Sequence, residues 1–277
     1  MREFSSGNKR SKNKEPARCF QFGNNWRRFL STIDESKVIK AERSLKDLFG
    51  WNHLKEKTFL DIGSGSGLFS LAAIRLGAQE VYSFDADPFS VNCTRELKKK
   101  YYPDAKNWSI REGNILDPLF LKTLGKWDIV YAWGVLHHTG NMRQAFENVV
   151  PLVAESGQLM VSIYNHQKWV SRYWTVIKKL FNKNLMVRWL IILGHAPYLF
   201  LGRLIVRSLT GRLSLERGMS LWRDMLDWLG GFPFETAKPE QVFEFFQKQG
   251  FQLTGLRTVG GKQGCNEFVF TKNLPQL

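Results

Sequence analysis

Thr58-Phe59-Leu60-Asp61-Ile62-Gly63-Ser64-Gly65-Ser66-Gly67-Leu68-Phe69-Ser70-Leu71-Ala72-Ala73-Ile74 is the stretch that decides the fold. A short apolar run breaks into three alternating glycines, and residues 68–74 continue at helical composition. This reads as strand, glycine loop, helix. Glycine in such a loop lets the backbone come close to a ligand, and the following helix aims its first N–H groups at it.

The same rhythm continues on the C-terminal side. Val81–Asp85 reads as a second strand closing on an acid, and Pro88–Lys100 as a helix with basic residues at its C-terminal end, where the helix dipole favours them. Trp108–Arg111, Trp127–Ala132 and Gly157–Tyr164 read as further strands, with a helix over Met142–Val153. A helix over Pro239–Gln249 precedes two late strands, Phe251–Val259 and Phe268–Thr271, whose short glycine-rich connection predicts an antiparallel hairpin. Strands alternating with helices predict an α/β fold: a doubly wound, mostly parallel seven-stranded sheet with an antiparallel last hairpin. N-terminal to the glycine loop, Trp26, Phe29, Leu30 and Ile33 predict one short amphipathic helix. Val38, Ala41, Leu45, Leu48 and Phe49 predict another, stopped by Gly50.

With 277 residues and 43% hydrophobic content, the chain is large enough to bury a core without cross-links. Its three cysteines, Cys19, Cys93 and Cys265, lie far apart, which excludes a disulfide scaffold and suits a reducing cytosol. No cluster of His, Cys, Asp or Glu has metal-ligand spacing, so no metal is expected. The net charge of +15 is localised: residues 1–18 carry +4 and residues 168–217 carry +9, leaving +2 for the rest. Residues 1–18 read as a disordered basic tail without the apolar stretch of a secretory signal. The expected organisation is this tail, an N-terminal helical cap at 19–57, a core at 58–164, a helical insertion at 165–236 and completion of the sheet by 237–277.

The glycine spacing discriminates between ligands. Read from Gly63, the third glycine of a dinucleotide fingerprint would fall on Leu68; read from Gly65, it would fall on Ser70. No Gly-Lys-Ser/Thr follows, so the phosphate-binding loop of nucleoside triphosphatases is absent too. Four elements in order instead resemble class I S-adenosylmethionine-dependent methyltransferases. Asp61–Gly67 is similar to that family's first motif, and Asp85 matches its ribose-binding acid at a spacing of about twenty residues. Glu112-Gly113-Asn114-Ile115-Leu116-Asp117 resembles the loop flanking the adenine, and Trp127–His138 resembles the fourth strand with its following loop. Within that family the chain resembles most the branch that includes ubiquinone-biosynthesis O-methyltransferases and related secondary-metabolite or sugar enzymes. The resemblance implies a Rossmann-like methyltransferase fold and S-adenosyl-L-methionine as cofactor. It places Asp61, Gly63, Ser64, Gly65, Gly67, Asp85, Ala86, Asn114, Ile115 and Trp133 in the cofactor site. Asn114 stands where an acid is common.

Methyl transfer from a sulfonium is an in-line displacement that needs a base only when the acceptor holds its proton at neutral pH. His137 and His138 follow the fourth strand at the open end of the sheet, and Tyr164 closes the fifth; these three are the candidate catalytic residues. Asp227 and Glu267 are more distant candidates. The insertion 165–236 holds five of the ten tryptophans and should carry specificity as a substrate lid. Its most apolar part, 185–206, is interrupted by Arg188, Gly194, His195, Pro197 and Arg203, which argues against a membrane span. Two readings of it stay open: a lid packing its apolar face on the domain, or an interfacial helix on an anionic membrane. The leading functional expectation is O-methylation of a small, hydroxylated and lipophilic metabolite by a cytoplasmic enzyme, with contact to the inner face of a membrane left open. Two alternatives remain: an RNA methyltransferase using the basic insertion, and a non-catalytic protein of this fold at a membrane surface.

Overall fold

The computed structural model describes residues 30–197, 199 and 221–273. The first helix given in full by the described residues, α1 (Glu35–Phe49), begins where the Asp34 carboxylate accepts from the Lys37 amide at 3.0 Å. It ends at Gly50, which takes the left-handed conformation (φ 71°) that a side chain would oppose. Val38, Ala41, Leu45 and Phe49 form its buried stripe. There follow β1 (Thr58–Ile62), α2 (Leu68–Arg75), β2 (Glu80–Asp85), α3 (Pro88–Tyr101), β3 (Trp108–Glu112), α4 (Pro118–Leu121) and β4 (Trp127–Trp133). After a 3₁₀ turn at Leu136–His138 come α5 (Met142–Val149), a second 3₁₀ turn at Val150–Leu152 and β5 (Val153–Tyr164). The later elements are α6 (Lys168–Phe181), α7 (Leu185–Ala196), α8 (Leu221–Gly230), α9 (Pro239–Lys248), β6 (Phe251–Arg257) and β7 (Cys265–Lys272).

The strands form one seven-stranded sheet in the order β3-β2-β1-β4-β5-β7-β6. β1 to β5 are parallel, and β7 is antiparallel to both β5 and β6. One face is covered by α1, α2 and α3 through residues such as Leu45, Leu71 and Leu97. The other is covered by α5 and α9 through Phe146, Val149, Val242 and Phe246. Strands buried on both faces explain the near-continuous apolar runs of β1 and β4. α6, α7, α8 and Phe234 share a separate cluster around Trp174, Phe181, Ile192, Met225 and Leu229.

Three local readings change. β5 starts at Val153, not Gly157, because Val153 still pairs with Trp127 before a register shift. Gly157 is required there: a Cβ would lie 2.8 Å from the Ala154 carbonyl oxygen and 3.0 Å from that of Asp128. The helix from Met142 ends at Val149 because Pro151 tightens the next turn to 3₁₀. The composition of 227–235 reads as a turn-rich stretch lining the pocket, whereas 227–230 are the end of α8. The tail 1–18, the helix over Trp26 and Phe29, and much of 198–220 lie outside the described residues.

Candidate functional site

Parallel strands put the C-terminal ends of β1, β2, β4 and β5 on one edge of the sheet, and antiparallel β7 returns its N-terminal end there, with Cys265 opposite Tyr164. The strand order reverses between β1 and β4, the place where open α/β sheets have their ligand crevice. Gly63, Gly65 and Gly67 all have positive φ (69°, 55° and 80°). Gly63 is also where the two loops meet: a Cβ on it would lie 2.4 Å from Val135 Cγ2.

Asp85 closes β2 and is half-buried. Its Oδ2 accepts from the Gly65 amide at 3.0 Å and its Oδ1 from the Asp87 amide at 2.9 Å, so it ties the glycine loop to the second strand. Burial pushes its carboxyl up to about 6, against the lowering effect of those two amides. Asp61 is buried beneath it and accepts from the Ser70 hydroxyl. Ser70 pairs with Ser83 at 2.7 Å, and Trp108 Nε1 donates to Ser83 at 2.8 Å, so a line of dipoles ends on the Asp61 carboxylate. Burial still pushes Asp61 up to about 7; the Ser70 hydrogen bond opposes this and the charge of Asp85 adds to it. Ser64 Oγ lies 3.1 Å from Thr94 Oγ1, whose hydroxyl reaches the Gly65 carbonyl at 3.3 Å. Ala86 is exposed beside Asp85.

On the next loop, Asn114 is exposed and its Oδ1 accepts from the Leu116 amide at 2.9 Å. Ile115 buries its side chain in the core and gives its carbonyl to Asn148. Trp133, at the end of β4, donates from Nε1 to Glu267 Oε1 at 2.8 Å, linking β4 to β7.

The three candidate catalytic residues are brought together. The ring centroids of His137 and His138 lie 4.5 Å apart, and Tyr164 lies 4.3 Å from His137 and edge-on to His138 at 5.6 Å. His137 is fully buried, with its ring against the Ser162 backbone. Burial holds its pKa well below the ordinary histidine value. His138 Nδ1 lies 2.6 Å from the Pro233 carbonyl oxygen, which can only accept. Its proton therefore sits on Nδ1, and Nε2 carries the lone pair. Burial lowers His138 to about 4 despite that hydrogen bond, so the ring is neutral at pH 7.

The outer wall is aromatic. Trp228 stands edge-on to Tyr164 at 5.6 Å, and Phe234 lies 4.9 Å from it. A small pocket opens here between Tyr164, Asn165, Trp174, Trp228, Phe234 and Gly264. Asn165 Oδ1 accepts from Asn266 at 3.2 Å, fixing the end of β5 to the last hairpin. Lys178 escaped the sequence reading. It is fully buried, donates to the Trp228 carbonyl, and holds Nζ 4.2 Å from the Trp228 ring centroid and 4.7 Å from that of Phe234. Its spacing to Ser171, Trp174 and Phe181 on the inner face of α6 was the available signal. Glu235 accepts from the Met142 amide at 2.9 Å at the start of α5. Glu267 joins the site through Trp133, whereas the side chain of Asp227 lies outside the described residues.

Residues 53–210, more than half of the chain, match the family model described as Methyltransferase domain. Among curated proteins, the ribosomal protein L11 methyltransferase of Prochlorococcus marinus (strain MIT 9312) is 31% identical over 116 residues, which is 42% of this chain and 37% of that protein. The chain thus spans little more than a third of that relative's length. Among solved structures, magnesium protoporphyrin IX methyltransferase from Synechocystis PCC 6803 superposes with a TM-score of 0.52 at 14% identity, covering 90% of this chain and 94% of that one. The N-methyltransferase NodS from Bradyrhizobium japonicum WM9 gives 0.51 at 13% identity, covering 92% and 100%. At such identities these two carry the fold alone. With the family match over the cofactor half, the chain belongs to the Methyltransferase domain family and is a class I S-adenosylmethionine-dependent methyltransferase.

Proposed function

We propose that this protein methylates a hydroxyl of a small, lipophilic acceptor seated at the ends of β4 and β5, with Asp85 and the glycine loop holding the cofactor. The observation that carries the reading is the placement, on one edge of the sheet, of the glycine loop tied to Asp85 and of the aromatic cluster around Tyr164. The residues present fit the cofactor. Gly63–Gly67 contain no cation that would call for a phosphate, and the nearby charges, Asp61 and Asp85, suit a positively charged ligand bearing a diol. A half-buried carboxylate raised to about 6 gains most from hydroxyl donors that replace water. Ser64, Ala86, Asn114 and Trp133 would complete the cradle. Ile115 would contribute backbone, because its side chain is committed to the core.

When bound, the cofactor supplies a methyl group already activated on a positive sulfur. The protein's own part is placement and exclusion of water. Tyr164, Trp174, Trp228 and Phe234 would have to part to admit an apolar acceptor body, because the space between them is about 10 Å³. Trp228 Nε1–H has no hydrogen-bond partner among the described residues and offers a donor to the acceptor's polar end. His138 is the base for the reacting hydroxyl: it would take the proton as the methyl–oxygen bond forms and the methyl–sulfur bond breaks, then return it to solvent. His137 and Tyr164 hold the His138 ring by packing. The insertion 165–236 acts as the acceptor lid.

The test is a panel of phenolic, enolic and amine acceptors plus tRNA, with products read by mass spectrometry. The reading expects turnover of hydroxylated lipophilic acceptors and a loss of kcat of about 100-fold or more in His138→Gln. Turnover of amines or tRNA alone would overturn it.

A further inference from the structure

The described residues expose an unusual run of large apolar side chains, and it is confined to two helices. On α7 they are Leu185, Met186, Trp189, Leu190 and Leu193, spaced to share one face. On α6 they are Trp169, Tyr173, Val176 and Leu180, again one face. The more open of these range from 56% exposed at Trp189 to 74% at Trp169. Among the described residues, nine of the thirteen exposed large hydrophobic side chains thus fall on two helices that pack together, so this is a patch and not scatter. Tyr173 Oη lies 2.6 Å from His195 Nε2, which joins the two faces.

Charge selects the occupant. Residues 168–197 contain six basic side chains and no acidic one. Lys178 points inward, whereas Lys168, Arg172, Lys179 and Lys183 are exposed, and Arg188 lies over the Phe181 ring. No ion pair between described residues engages these five. Exposed tryptophans beside leucines, framed by cations that have no counter-charge among the described residues, match a lipid headgroup boundary better than a protein partner, whose interface would carry compensating acids. No helix among the described residues is long and apolar enough to cross a membrane.

We propose that the outer face of α6 and α7 docks this protein onto an anionic lipid bilayer. α6 then has two working faces, because Trp174 on its inner side lines the pocket beside Tyr164. Docking sets the pocket next to the bilayer surface and gives a membrane-resident acceptor a short path to it; that last step rests on the lipophilic-acceptor reading, whereas docking itself does not.

The full chain is floated with vesicles of phosphatidylcholine alone and of an equal mixture of phosphatidylcholine and phosphatidylglycerol, at low and high salt. Binding to the anionic vesicles that weakens with salt supports the proposal. Each basic residue near such a surface is worth about fivefold in partitioning, so K179A/K183A is expected to weaken binding about 25-fold. L190E/L193E is expected to abolish it while leaving cofactor binding, measured by calorimetry on the same samples, unchanged. Absence of binding by folded protein overturns the proposal. So does a dimer in light scattering that L190E/L193E splits, which would make a second copy the occupant. A monomer that does not bind and whose Tm falls in L190E/L193E also overturns it, in favour of cover by another segment of this chain. Loss of cofactor binding in the wild-type protein would instead count against the proposed function and leave the docking result readable.

Discussion

Replacing Asp61 with Asn should make the protein more stable near neutral pH and remove part of its pH dependence. Asp61 is 3% exposed, and its carboxyl sits at about 7 in the folded chain against 3.8 for the free side chain. The folded state therefore holds this proton more tightly than the unfolded state does. Below pH 3.8 both states are protonated and the favourable contribution is fully present. As pH rises to about 7 the unfolded chain releases its proton first, and the contribution is lost. At about 1.4 kcal/mol per pH unit, the whole loss is on the order of 4 kcal/mol. Asn keeps an oxygen for the Ser70 hydroxyl but never ionises, so it escapes that loss. Asp85 contributes in the same sense and His138 in the opposite one, since its pKa is lowered from 6.5 to about 4. The informative quantity is thus the difference between variant and wild type, which cancels both. Urea unfolding followed by circular dichroism from pH 4 to pH 8 at fixed ionic strength gives it. The variant should gain on the wild type steadily across that window. A difference that does not change with pH would refute the reasoning.

Three further outcomes follow from the geometry. Gly63→Ala should cost roughly 3 kcal/mol in urea unfolding, from a positive φ and from the overlap with Val135; Gly63→Ala/Val135→Ala should recover the packing part only, and full recovery would show that φ carries no strain. Lys178→Met should lower stability by about 2 kcal/mol by leaving the buried Trp228 carbonyl without its donor, and should raise acceptor KM while cofactor affinity stays constant; unchanged stability and KM would contradict the role given to Lys178. If His138 accepts the hydroxyl proton, kcat should stay flat through pH 6.5 and fall only as the pH drops toward 4, where the ring protonates; an acid limb centred on 6.5 would assign the proton to another group.

The parts of the fold visible in the sequence were those with local causes. β1 and β4 stand out because burial on both faces makes them continuously apolar, and Gly50 announces the end of α1 by its left-handed conformation. Asp61, the glycine loop and Asp85 were legible because chemistry fixes their spacing as well as their identity. Contacts made at a distance were not. Trp133 meets Glu267 across 134 positions, and the burial of Lys178 depends on Trp228 and Phe234, some fifty residues later. The start of β5 was hidden for a related reason: Ala154-Glu155-Ser156-Gly157 has the composition of a turn, and only pairing with β4 makes its first residues strand. In the insertion, helical periodicity was visible. Which of its two apolar faces met the protein was not, because α6 and α7 are apolar on more than one side.

The central claim is that the crevice between β1 and β4 holds S-adenosylmethionine through Asp85. Calorimetric titration of the wild-type protein and of Asp85→Ala with S-adenosylmethionine and its demethylated product tests it most directly. The account predicts binding by the wild type that strengthens as pH rises through about 6, where the Asp85 carboxyl ionises. It also predicts a loss of about 100-fold in Asp85→Ala, the value of two hydroxyl hydrogen bonds to a charged acceptor. Equal affinity in the two folded proteins, or no binding by either, would contradict it.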